Sequence, residues 1–127
     1  SFKEAETLKK RALAFLKNAE HLYEEKEYDL AAFNLEQYCQ LILKYKLLTL
    51  TGTYPRTHSI VNLLRTLGKI GKQNNILNFV EKHIMYLTKI EDAYIGARYL
   101  PRAYEEKEVK ELIKFIKEVF SKFVEEI

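Results

Sequence analysis

The chain has 127 residues, enough for one hydrophobic core, and a single domain over residues 1–127 is expected. Leu, Ile, Lys, Glu and Tyr dominate, with four Gly, two Pro and no Trp, a mixture that suits long amphipathic helices and argues against a sheet sandwich. A net charge of +3 is too mild for a protein that coats nucleic-acid duplexes, yet it leaves room for a small phosphate-bearing ligand or a short RNA.

A first helix is expected over residues 2–26, where Leu8, Ala12, Phe15, Ala19 and Leu22 recur at three- and four-residue steps, widened by Leu16 and Tyr23. Lys9, Lys10, Lys17 and Glu24 fall on the other side and read as a solvated face. The opening residues, Phe2 to Glu6, resemble neither a signal peptide nor a transit peptide.

A second helix is expected from about 28 to 50. Its apolar arc holds Leu30, Ala31, Leu35, Tyr38, Leu41, Ile42, Tyr45 and Leu48, and exceeds half the helical circle. Such a helix must touch neighbours on at least two sides, which makes it the central helix of a bundle. Its narrow polar arc carries Asp29, Glu36, Gln37, Gln40 and Lys44. That row is read first as a solvated face, and otherwise as a polar strip across a dimer seam or the lining of a ligand groove.

Gly52 and Pro55 break the chain. Thr57, His58 or Ser59 then caps a short third helix with Ile60, Leu63, Leu64 and Leu67, closed by Gly68 and Gly71. A fourth helix is expected over about 73–95, and a last one from about 105 to the end, with Val109, Leu112, Ile116, Phe120 and Phe123 at helical spacing. The whole is an all-α fold: an antiparallel up-and-down four-helix bundle with one additional short helix.

Few sites of chemistry stand out. His21, His58 and His83 lie far apart with no second ligand at zinc-type spacing, so no metal is expected, and no cofactor motif is present. Cys39, the single cysteine, excludes an internal disulfide and fits a reducing, cytoplasmic setting; beside an apolar arc it reads as a packed thiol. No apolar run approaches the ~20 residues needed to cross a bilayer. Of five arginines, Arg56, Arg98 and Arg102 fall in expected connections, whereas the sixteen lysines lie mostly on helices. Arg is the better fork for phosphate or carboxylate, which favours the loops as the ligand side.

Residues 94–104 depart furthest from a helix face, with Tyr94, Tyr99 and Tyr104 interleaved with Arg98 and Arg102 around Gly96 and Pro101. Tyrosines stack on bases and guanidinium forks grip phosphates, so this stretch is a candidate nucleotide site. The competing reading is that the tyrosines pack the bundle end while the arginines bond exposed helix carbonyls. His58, at a helix start after Arg56 and Thr57, either orders its loop or faces a phosphate at the helix N-terminus. The candidate binding residues are Arg98, Arg102, Tyr99, Arg56 and His58.

Three stretches resemble the HEPN domain (higher eukaryotes and prokaryotes nucleotide-binding). They are Tyr28 through Gln37 continuing to Leu41, Leu43 and Lys44; Thr57-His58-Ser59-Ile60 followed by Leu63 and Leu64; and Ala97-Arg98-Tyr99-Leu100-Pro101, a variant of the family's Ala-Arg-Tyr-Pro. The resemblance implies a helical up-and-down bundle, usually a homodimer, often paired with a minimal nucleotidyltransferase in a toxin–antitoxin-like context. Catalytic members are metal-independent ribonucleases with an Arg followed, after four to six residues, by a His. None of Arg11, Arg56, Arg65, Arg98 or Arg102 has a His in that window, and His58 follows Arg56 too closely. A non-catalytic module that binds a nucleotide or short RNA, or docks a nucleotidyltransferase, is therefore expected. The alternatives are a ribonuclease with an atypical arrangement, such as Arg98 with His58 brought together in space, or a purely structural assembly protein.

Overall fold

Helix α1 (Phe2–Glu24) starts on Ser1, whose hydroxyl accepts from the Glu4 amide. The computed structural model describes residues 1–101 and 103–127. The buried stripe of α1 is made of small residues, Ala5, Ala12 and Ala19, while Leu8, Phe15, Leu16 and Leu22 are half-buried at its flanks. Alanines at seven-residue spacing let the next helix come close along the full length of α1. The turn that follows places Lys26 at φ 63, a left-handed conformation in which the Lys26 and Glu27 amides reach the Tyr23 and Leu22 carbonyls. Those bonds close the helix end in the manner usually left to glycine.

Helix α2 (Tyr28–Thr51) runs back along α1, as shown by Asn18 donating to Asn34, Tyr23 packing on Tyr28, and Lys9 lying over Tyr45. It touches α1 and also three later helices, so the central position expected from its wide apolar arc is observed. Ala31, Leu35, Cys39, Leu43 and Leu47 are at most 1 % exposed, and each leucine contributes roughly 2 kcal/mol of burial free energy. Leu30, expected in the apolar arc, is instead 44 % exposed. Gly52 ends the helix at φ 85, where a side chain would be strained.

Helix α3 (Ile60–Ile70) is capped by Ser59, whose hydroxyl accepts from the Asn62 amide. Helix α4 (Gln73–Lys82) packs on α3, whereas α5 (Ile84–Tyr99) packs on α2. The sequence pattern reads residues 73–95 as one helix, but the chain breaks at His83, with φ −113 and ψ 20. The bend is filled by rings: His83 lies 4.7 Å from Phe79 and 5.2 Å from Phe115, centroid to centroid. At its other end α5 continues four residues beyond the expected limit, through Tyr99.

The final segment is α6 (Glu106–Phe115), a π-helical turn (Ile116–Phe120) and α7 (Ser121–Glu125). Glu105 and Glu108 form a capping box at its start. The π turn adds a residue to the helical repeat, and Ser121 then meets the Tyr38 hydroxyl at 2.6 Å while Phe120 stays fully buried. Tyr23 donates to Glu106 and Lys117 pairs with Glu20, which sets this segment alongside α1. Among the described residues every regular element is helical, and the elements form a helical bundle with α2 at its centre.

Candidate functional site

Arg98 lies in the last turn of α5, where cations complement the helix dipole. Its Nε donates to the Tyr94 carbonyl at 2.9 Å and its Nη2 donates to the same oxygen, so one edge of the fork grips the backbone of its own helix. Nη1 reaches the Tyr99 hydroxyl at 3.5 Å. The Cζ atom sits 4.8 Å from the ring centroids of Phe33, Tyr94 and Tyr99. Three rings thus surround one guanidinium, an arrangement that cation–π attraction stabilises. Among the described residues no carboxylate stands within ion-pair distance of Arg98. The Nη1–Nη2 edge is the part of the fork left to take an oxyanion.

The same Tyr94 ring carries the imidazole of His58, stacked at 4.2 Å with the planes within 1° of parallel. His58 and Arg98, forty residues apart in the chain, therefore meet on one aromatic ring. His58 belongs to the loop between α2 and α3, which is pinned at two points. Lys44 lies over the Tyr54 ring at 5.5 Å, and the Ser59 hydroxyl and Val61 amide donate to Glu91 of α5 at 2.8 and 2.7 Å. Tyr99 is 71 % exposed, with the Arg98 guanidinium against its ring. Arg56 is exposed in the His58 loop, and among the described residues no hydrogen bond or ring contact joins it to Arg98, Tyr99 or His58. The expectation for Arg102 lies outside the described residues.

Of the two sequence readings of residues 94–104, the one in which tyrosines pack the bundle and arginines bond helix carbonyls is met by Tyr104 and Arg98. Arg98 does bond a helix carbonyl. Tyr104 packs the bundle: it is 2 % exposed, its hydroxyl donates to the Lys89 carbonyl at 3.3 Å, and its amide donates to Asp29. Tyr104 is thereby removed from the candidate ligand surface, while Tyr94 and Tyr99 stay on it. Phe33 and Glu91 escaped the sequence reading. The signal for Glu91 was its place seven residues before Arg98, on the same face of α5.

The polar arc of α2 is not the solvated face that its composition suggested. Glu36 is fully buried and Gln40 nearly so, and Gln37 and Lys44 are half-buried. Gln37 and Gln40 donate to the two Glu36 oxygens at 2.7 and 2.9 Å, and Lys44 donates to Gln40 at 2.8 Å. Burial pushes the Glu36 carboxyl up to about 7; the two amides and Lys44 pull it down, and the Glu91 charge adds to the rise. Burial also raises the Cys39 thiol well above its ordinary value, with the nearby Glu36 charge adding, so it is a packed and unreactive group.

A cavity of about 660 Å³ lies elsewhere, between α5 and α6, lined by Met85, Tyr86, Lys89, Glu105, Glu111 and Leu112. Its wall is mostly apolar, and it includes neither Arg98 nor His58. The cluster of Arg98, Tyr94 and His58 therefore lies outside this cavity.

The HEPN domain family model matches residues 5–127, nearly the full chain. The chain belongs to the HEPN family. Comparison with curated proteins and with solved structures returns no match. In this HEPN chain the Ala97-Arg98-Tyr99 stretch closes α5, and Thr57-His58-Ser59 supplies the loop that reaches Tyr94. Among the described residues, no helix of this HEPN chain is long and apolar enough to cross a membrane.

Proposed function

We propose that this HEPN chain is a non-catalytic binding module that takes a nucleotide or a short RNA strand on the surface around Arg98 and Tyr99. The guanidinium of Arg98 grips a phosphate, Tyr99 stacks on a base, and His58 borders the phosphate, with Arg56 of the His58 loop and Arg102 kept as further candidate contacts from the sequence. It acts as a cytoplasmic homodimer, each subunit a single domain over residues 1–127 with the long elements in an antiparallel up-and-down four-helix arrangement. Its natural companion is a small nucleotidyltransferase, in a toxin–antitoxin-like pair. The observation that carries the proposal is the Arg98 guanidinium held by three rings with no carboxylate against it among the described residues.

Fluorescence anisotropy with a labelled short RNA, and calorimetry with ATP and GTP, test it. Arg98→Ala is expected to weaken binding by about 1–3 kcal/mol and to lower the salt dependence by about one phosphate contact. Wild-type affinity in that variant, or no binding by any of these ligands, ends the proposal. Capture of a nucleotidyltransferase with no ligand binding would leave an assembly role instead.

One observation favours a second reading. His58 and Arg98 each lie against the Tyr94 ring, which supports the reading of a ribonuclease with an atypical arrangement. Incubation of the pure protein with RNA in EDTA decides: cleavage that disappears in His58→Ala establishes a metal-independent ribonuclease with His58 as the acid–base group.

A further inference from the structure

The Arg98 surface is assembled from two segments far apart in the chain, and a carboxylate joins them. Glu91 of α5 accepts through a single oxygen, Oε1, from the Ser59 hydroxyl and from the Val61 amide. Both donors lie at the start of α3, within three residues of His58. Glu91 thus caps α3 from a different helix: it satisfies an amide that a helix start leaves open and places negative charge where the dipole favours it. Ser59 meanwhile bonds Asn62 through its oxygen and Thr57 through its own amide, both at 3.1 Å, so its geometry is fixed on both sides.

The consequence falls on His58. The chain after it is tied to α5 by Glu91, and the chain before it carries Tyr54 beneath Lys44. Along α5, Glu91, Tyr94 and Arg98 follow one another at steps of three and four residues, which puts them on one helix face. The group that holds the loop, the ring that receives the imidazole and the guanidinium beside that ring are set in one register by a single helix.

We propose that Glu91 is the positioning residue of the Arg98 surface: by tying Ser59 and Val61 to α5 it seats His58 on Tyr94, so that a ligand meets a preformed cluster of His58, Tyr94 and Arg98. The role in ligand binding rests on the proposed function above; the seating of His58 does not. Preorganisation of this kind raises affinity by removing an ordering cost, without adding a contact.

Proton NMR reads the seating directly. The ring protons of His58, lying on Tyr94, are expected upfield of those of His21, whose side chain is exposed. In Glu91→Ala, with far-ultraviolet dichroism unchanged, the His58 signals are expected to move to the exposed position, and affinity for a labelled short RNA to fall by about three- to tenfold. Glu91→Gln keeps an acceptor oxygen and is expected to restore most of both. An undisplaced His58 signal in Glu91→Ala overturns the proposal, and so does a lost stack with undiminished affinity while Arg98→Ala binds weakly. If Arg98→Ala binds like wild type, the ligand reading fails on its own and the NMR result still decides the Glu91 role. If Glu91→Ala does not fold, Ser59→Ala, which removes one arm of the tie, replaces it: a reduced upfield displacement supports the proposal and an unchanged one overturns it.

Discussion

The imidazole of His58 lies flat on the ring of Tyr94, and the guanidinium of Arg98 lies against the same ring. Tyr94 makes these contacts with its ring and its carbonyl. Tyr94→Leu is therefore expected to weaken binding of a short RNA by roughly three- to tenfold, because it removes the ring that preorganises His58 and Arg98. Tyr94→Phe should bind like the wild type, because it keeps both the ring and the carbonyl. An equal loss in the two variants, measured by anisotropy, would show that the phenol hydroxyl and not the stack is at work.

Glu36 makes stability depend on pH in an uncommon direction. Its carboxyl has an ordinary value of 4.5 and is pushed up to about 7 in the fold, so the folded protein holds a proton that the unfolded chain releases. The resulting contribution is complete below about pH 4.5, is lost as pH rises through about 7, and amounts to at most ~3 kcal/mol. Glu36→Gln keeps the shape and removes the titration; a turned Gln37 amide can accept from it. The difference in Tm between Glu36→Gln and wild type is expected to grow from pH 5 to pH 8 in the variant's favour. A difference that stays constant across that range would place the buried carboxyl's titration elsewhere.

Asp29 ties the segment after α5 to the start of α2 by accepting from the Tyr104 amide. Asp29→Ala is expected to cost about 1–3 kcal/mol, the range for a charged acceptor whose donor is left part-buried. Urea unfolding followed by dichroism measures it. A loss under about 0.5 kcal/mol, the usual size of a surface substitution, would mean that the other contacts of Tyr104 hold it without Asp29.

Much of the fold was legible because burial and helical period reinforce each other. Leu63, Leu64 and Leu67, or Val109, Leu112 and Phe120, mark their helices by spacing alone, and Gly52 marks a helix end through its φ of 85. The HEPN likeness was legible too, since it rests on residue order. The far end of α5 was misjudged because residues 94–104 were read as a departure from a helix face; inside a helix, glycine costs only about 1 kcal/mol, and Pro101 restricts just the residue before it.

What the sequence by itself determined is which stretches coil into helices and which family the chain joins, because both depend on neighbours a few positions away. Tertiary structure alone decided the break at His83, the burial of Glu36 and the meeting of His58 with Arg98 on Tyr94. Periodicity records which side chains share a face of one helix. It is silent on what another helix lays over that face, and it is that covering which raises the Glu36 carboxyl and brings an imidazole to an arginine forty residues away.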